Sequence, residues 1–128
     1  MLTAVLFIIG CKHPEPDYRD QWTGFYDCKV CSHSSIGSTE EHWEVQYVDT
    51  LVVLKEADSV VKVYSLINTG NSWMFRVDPN GEFREIGTNY YPYYGLFFQD
   101  SIEINYFVHS PNVVQRKKIS GKIFITTH

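Results

Sequence analysis

The stretch WMFRVDPNGEFREI, residues 73–86, has alternating apolar and polar residues on either side of the turn sequence Asp78-Pro79-Asn80-Gly81. Proline presets φ for the first central position of a type I turn, and the glycine accepts the left-handed conformation that follows. Alternation with period two places successive side chains on opposite faces of a strand. The stretch therefore predicts a β-hairpin with strands at 73–77 and 82–86.

Similar strand-like segments, separated by turn residues, recur on both sides of this hairpin. Residues 32–41 are rich in serine, glycine and threonine and predict a loop. No segment has a helical period over ten or more residues. Short strands at regular spacing predict an all-β fold, an antiparallel barrel of about eight strands, with a β-sandwich as the alternative. The further strands are predicted at 22–31, 43–55, 60–67, 94–98, 101–109 and 113–126, the last as one bent strand or two, with the bend at Ser120-Gly121.

The head of the chain carries an apolar run at residues 4–9, followed by Gly10-Cys11. A membrane-spanning helix needs about 20 apolar residues, so this run is too short to be one. The remaining alternatives are an export signal and a first β-strand. The breaker sequence at 10–14 favours the signal, although no basic residue precedes the run.

The sequence Ile8-Ile9-Gly10-Cys11 resembles the lipobox of bacterial lipoproteins. The resemblance implies a signal peptide at 1–10, cleavage before Cys11 and lipid attachment to Cys11. Residues 11–21 are polar, contain two prolines and predict a tether, ahead of a single barrel domain at 22–128. The expected location is the bacterial cell envelope, lipid-anchored on the periplasmic or surface face of the outer membrane, with the lipid membrane as a partner.

Cys28 and Cys31 form a pair if Cys11 is acylated, since the chain has three cysteines. Paired cysteines in an oxidising compartment favour a disulfide. In a straight strand the two residues are roughly 10 Å apart and face opposite sides, whereas a disulfide needs Cα atoms within about 7 Å. The pair therefore closes only if the strand ends near Val30 in a turn or bulge. Free thiols and a metal site with His33 are the alternatives, and our prediction includes no metal.

An aromatic cluster lies at 89–98, where four tyrosines surround Pro92. Flat rings that carry hydroxyls suit stacking against sugars or other flat ligands at the mouth of a barrel. The alternative is that these rings fill the core of a small barrel. The candidate ligand-stacking residues are Trp43, Trp73, Tyr91 and Tyr93.

Charge and motifs restrict the function classes. Eleven basic and fifteen acidic residues give a net charge of −4, which argues against nucleic acid as a partner. The chain has no nucleophile elbow, no His-Glu-x-x-His and no phosphate loop. We therefore predict no catalytic residues, no enzymatic activity and no cofactor.

With these strands in place, the chain resembles the small lipocalin-like lipoproteins of Bacteroidetes-type bacteria. The resemblance rests on the lipobox-like sequence, the polar segment after it, and Trp22-Thr23-Gly24-Phe25-Tyr26, where lipocalins have Gly-x-Trp and this chain has the reverse order. It implies a lipocalin-like barrel with Trp22 closing one end. The expected function is non-catalytic binding of a small apolar or glycan-like ligand. The alternative is a structural or interaction subunit of an envelope complex, with a filled barrel and another envelope protein as partner.

Overall fold

Eight antiparallel strands close into one barrel, each paired with its neighbours in chain order, with the last strand returning to the first. The computed structural model describes residues 17–36, 41–87, 91–110 and 113–126. The antiparallel eight-stranded barrel is thus confirmed, and closure of the sheet excludes the sandwich. The strands are β1 (Gly24–Ile36), β2 (Glu41–Lys55), β3 (Val60–Ser65), β4 (Ser72–Val77), β5 (Glu82–Glu85), β6 (Tyr94–Phe98), β7 (Ser101–His109) and β8 (Val113–Thr126), and a 3₁₀ helix (Tyr18–Trp22) precedes them.

The turn at 78–81 joins β4 and β5 as the sequence predicts. The Asp78 carboxylate accepts hydrogen bonds from the backbone N–H groups of Asn80 and Glu82, at 3.2 and 3.1 Å. Gly81 has a φ of +96°, and a Cβ atom there would collide with the carbonyl oxygen of Phe97. Glycine is therefore required both for the left-handed turn position and for the close approach of the turn to β6.

The strands differ most clearly from the prediction at β1 and at β8. The predicted loop begins at residue 32, but β1 continues to Ile36 because it pairs with β2 and with β8 along all thirteen of its residues. Two complete ladders of backbone hydrogen bonds outweigh the local turn preference of serine. β8 is a single strand, and its irregularity does not lie at the predicted position, 120–121. Instead, the pairing between β1 and β8 shifts between Phe25 and Tyr26, which leaves Phe124 of β8 as the extra residue of a bulge.

The core fills the end of the barrel where β1 begins, which we call the closed end. Trp22 is only 4% exposed there and stacks on Phe97, with ring centroids 5.1 Å apart and planes at 7°. Phe97 also contacts the rings of Tyr26 and Phe83. Trp22 therefore closes the barrel, as expected. The other buried side chains of this core include Leu51, Val53, Val61, Val63, Phe75, Val77, Ile102 and Ile104.

The 3₁₀ helix packs across the closed end. The Tyr18 hydroxyl donates to the carbonyl oxygen of Val77 at 2.6 Å, and the Arg19 guanidinium donates to the carbonyl oxygen of Val60 at 2.8 Å. These bonds attach the helix to the β4–β5 hairpin through Val77 and to the β2–β3 hairpin through Val60. Residues 17–21, which the sequence assigns to the tether, therefore belong to the barrel domain.

Candidate functional site

The opposite end of the barrel, which we call the open end, is uneven in height. β1 and β2 have thirteen and fifteen residues, whereas β5 and β6 have four and five. β3 pairs with β2 only from Leu51 to Lys55, so the earlier part of β2 extends past its neighbour. Val45 and Tyr47 follow the inner-face alternation of β2, yet they are 46% and 38% exposed. The inner wall of the barrel is therefore accessible to solvent at this end.

Three rings form a continuous aromatic wall on the inner side of the open end. Trp73 lies in β4, Tyr106 in β7, and Tyr93 directly before β6. The centroids of Trp73 and Tyr93 are 5.2 Å apart, and Tyr93 stacks on Tyr106 at 4.3 Å with planes at 18°. Trp73 also stacks on Phe75 of the core. The aromatic wall (Trp73, Tyr93, Tyr106) thus rests on the packed core below it, and its two tyrosines are partly exposed.

Backbone and side-chain bonds hold Tyr93 in this position. Its N–H donates to the Glu85 carboxylate at 3.1 Å, and the Glu85 N–H donates to the carbonyl oxygen of Tyr93 at 2.8 Å. Burial, together with the nearby Tyr106 and Glu85, raises the pKa of Tyr93 to about 12. The phenol therefore stays protonated at neutral pH, so it can both donate and accept a hydrogen bond.

Two charged residues of the inner face lie near the aromatic wall. Asp49 is 5% exposed, and its carboxylate accepts a 2.6 Å hydrogen bond from the Ser65 hydroxyl. A longer bond from the Ile67 N–H, at 3.4 Å, also reaches Asp49. Lys117 lies opposite Tyr106 in the β7–β8 ladder and is partly buried. Asp49 therefore has its hydrogen-bond partners inside the protein, whereas Lys117 lines a groove of the barrel.

The structure brings together only part of the predicted stacking set. Trp73 and Tyr93 are in contact, but Tyr91 is 39% exposed and its hydroxyl donates instead to the carbonyl oxygen of His109, at 3.2 Å. Trp43 lies in β2, opposite Ser34, and its side chain is outside the described residues. The remaining member of the aromatic wall, Tyr106, was missed, although its period-two spacing from the apolar residues at 102 and 104 places it on the inner face.

The two cysteines of β1 are free thiols, Cys28 buried and Cys31 partly exposed. The strand runs through both without a break, with Cys28 opposite Asp49 and Cys31 opposite Gln46. The turn or bulge that a local disulfide requires is absent at this point, so the proposed Cys28–Cys31 bridge is not formed. Burial raises the pKa of Cys28 to about 12. In the described ranges, no three residues among His, Cys, Asp and Glu are grouped closely enough to hold a metal ion.

Grooves also occur on the outer surface. One of about 600 Å³ lies beside the β4–β5 hairpin at the closed end and is lined in part by Arg76 and Arg84, which face each other across the two strands. A groove of about 370 Å³ along β1, β7 and β8 is lined partly by Tyr106 and Lys117 and partly by outward-facing residues such as Phe107. The groove of about 370 Å³ therefore borders the aromatic wall, whereas the groove beside the β4–β5 hairpin is not lined by any residue of the wall.

The predicted lipid-attachment residue, Cys11, lies outside the described residues. Within the part of the chain that the structure covers, no helix is both long enough and apolar enough to cross a membrane. Comparison with protein-family models, with curated proteins and with solved structures finds no match for this chain.

Proposed function

We propose that this protein binds a small, glycan-like ligand without catalysis, and that the ligand lies against the aromatic wall at the open end. The observation that carries the proposal is the contrast between the two ends of the barrel. Below the wall the interior is packed, with Phe75, Phe97, Ile102 and Ile104 all at most 1% exposed. A ligand enclosed deep in the barrel has no space, so binding takes place at the mouth.

The residues at the mouth suit a molecule with both apolar and hydroxyl-bearing faces. Ring faces pack against the C–H faces of a sugar or against a flat apolar group, while tyrosine hydroxyls reach polar atoms at the edge. The Tyr93 phenol is protonated at neutral pH, and Tyr47 lies close enough to affect its pKa. Because these groups are polar, we favour a glycan-like ligand over a purely apolar one.

We further propose that the chain is a lipid-anchored, lipocalin-like protein of the bacterial envelope, attached to the membrane through Cys11. Support comes from the lipobox-like sequence at 8–11. Asp17 and Tyr18 lie at the closed end, with the Tyr18 hydroxyl bonded to Val77.

A filled barrel that serves as an interaction subunit of an envelope complex is the second candidate. The packed closed end favours it, and so do apolar side chains exposed on the outside of the barrel. Val48 is 67% exposed, Phe98 62% and Phe124 56%. In that case the partner is another protein, and the recognition surface is the outer face of the strands.

Titration with phenyl glycosides, followed by isothermal calorimetry, distinguishes the two candidates. Tyr93→Leu and Tyr106→Leu are expected to weaken binding at least about fivefold, since each removes one ring from the wall, in line with the energy of a single aromatic pair. Tyr64→Leu is the matched control, because Tyr64 lies between the buried Val63 and Ser65 in β3 and therefore faces the outside of the barrel. If no glycoside binds, or if the wall variants fold and bind as the wild type does, the proposal is wrong.

A further inference from the structure

Lys117 is an unusual residue for the inner wall of a barrel. It lies two residues before Ile119, which is 2% exposed and belongs to the core, and no irregularity of β8 separates the two. Period-two alternation therefore directs its side chain to the same inner side. Its ladder partners, Tyr106 on β7 and Ser32 on β1, are both partly buried.

The ammonium group has no ionic partner in the described residues. Among the residues that the structure describes, no carboxylate forms an ion pair with Lys117. The next residue, Lys118, forms an ion pair with Glu103 at 2.8 Å on the outer face. The charge of Asp49 acts on Lys117, but the Asp49 carboxylate is bonded to the Ser65 hydroxyl. Burial lowers the pKa of Lys117, and the charge of Asp49 only partly opposes this effect. A partly buried cation without a counter-ion costs free energy in the unliganded protein.

We infer that Lys117 binds an anionic group of the ligand, so that the ligand is an acidic glycan-like molecule such as a uronic acid. The inference rests on the proposed function. Lys117 lies opposite Tyr106 in the ladder, and the Tyr106 ring stacks on Tyr93 at 4.3 Å. The site therefore combines one cation with a flat wall. A sugar whose face packs on the wall places a carboxylate at its edge beside the ammonium, where a charge-assisted hydrogen bond forms.

The test uses two probes that differ in one group. Phenyl β-D-glucuronide and phenyl β-D-glucoside share the sugar ring and the phenyl group, but only the first carries a carboxylate. We expect the full-length protein to bind the glucuronide at least tenfold more tightly than the glucoside, measured by calorimetry at low salt. In Lys117→Met the ratio of the two affinities is expected to fall to about one, and in Lys117→Arg the preference is expected to remain.

Lys118→Met is the matched control, because it removes the neighbouring cation from the outer face and is expected to keep the preference. Equal affinities in the wild type, or a preference that survives in Lys117→Met, would overturn the inference and leave the proposed function standing. Absence of binding by both probes would overturn the proposed function and the inference together. If Lys117→Met does not fold, the same charge contact can be tested in the wild type by raising the salt concentration. We then expect the preference for the glucuronide to disappear while binding of the glucoside stays unchanged. A preference that persists at high salt contradicts the inference.

Discussion

Truncation of Phe97 tests how tightly the closed end is packed. The side chain is 1% exposed and contacts three rings: Trp22 at 5.1 Å, Phe83 at 4.9 Å and Tyr26 at 6.2 Å. Burial loss and the resulting cavity make a Phe→Ala change in a core cost about 3–5 kcal/mol. Each of the three aromatic pairs contributes about 0.5–1.5 kcal/mol beyond its buried area, or about 1.5–4.5 kcal/mol together. We therefore expect Phe97→Ala to lower the free energy of unfolding by an amount near the upper end of the range of about 3–5 kcal/mol.

Urea denaturation followed by far-UV circular dichroism measures this cost as a fall in the midpoint. Phe97→Leu keeps most of the apolar volume and loses mainly the ring pairs, so we expect about 2 kcal/mol for it. Phe98→Ala is the matched control, because Phe98 is the next residue, lies on the outer face and is 62% exposed. We expect it to change the free energy of unfolding by less than about 0.5 kcal/mol. A cost below about 1 kcal/mol for Phe97→Ala, or equal costs at 97 and 98, would refute a filled closed end.

Three further predictions concern turns, thiols and an unpaired donor. Gly81→Ala is expected to lower the thermal midpoint more than Gly87→Ala, because both glycines have positive φ but only Gly81 also meets a backbone oxygen; equal shifts would contradict this. When the native protein is alkylated at pH 8 and the products are mapped by mass spectrometry, Cys31 is expected to react well before Cys28. The thiolate is the reactive form, and burial raises the pKa of Cys28 to about 12. Equal rates of alkylation would contradict a buried Cys28. Trp22→Phe is expected to cost less than about 2 kcal/mol in urea denaturation, because it keeps an aromatic ring in the core and removes a buried indole N–H that has no hydrogen-bond partner in the described residues; a cost near the roughly 3–5 kcal/mol of a truncation to alanine would contradict this.

Local signals predicted most of the strands because each depends on residues close together in the chain. The turn at 78–81 and the alternation at 101–109 needed no information about the rest of the fold. The continuation of β1 through residues 32–36 was not predictable in this way, since it depends on pairing with β8, which lies some eighty residues away in the sequence. The bulge at Phe124 arises from the same long-range pairing.

The candidate site was predictable only in part, for a similar reason. The aromatic cluster identified Tyr93, and its neighbour Tyr91 has the same residue type but bonds to His109 away from the wall. Which tyrosine faces inward is set by the register between strands, and the local sequence does not specify that register. The contribution of Tyr106 and Lys117 likewise appears only when β7 and β8 are placed side by side.

The most direct test of the central claim is the response of the indole N–H signals to a ligand. The chain has three tryptophans, of which Trp73 belongs to the aromatic wall and Trp22 to the closed end. In a ¹H–¹⁵N correlation spectrum of the full-length protein titrated with phenyl β-D-glucuronide, the Trp73 signal is expected to shift with ligand concentration while the Trp22 signal stays in place. A shift of the Trp22 signal alone, or no shift of the Trp73 signal at saturating ligand, would contradict binding at the open end above a filled core.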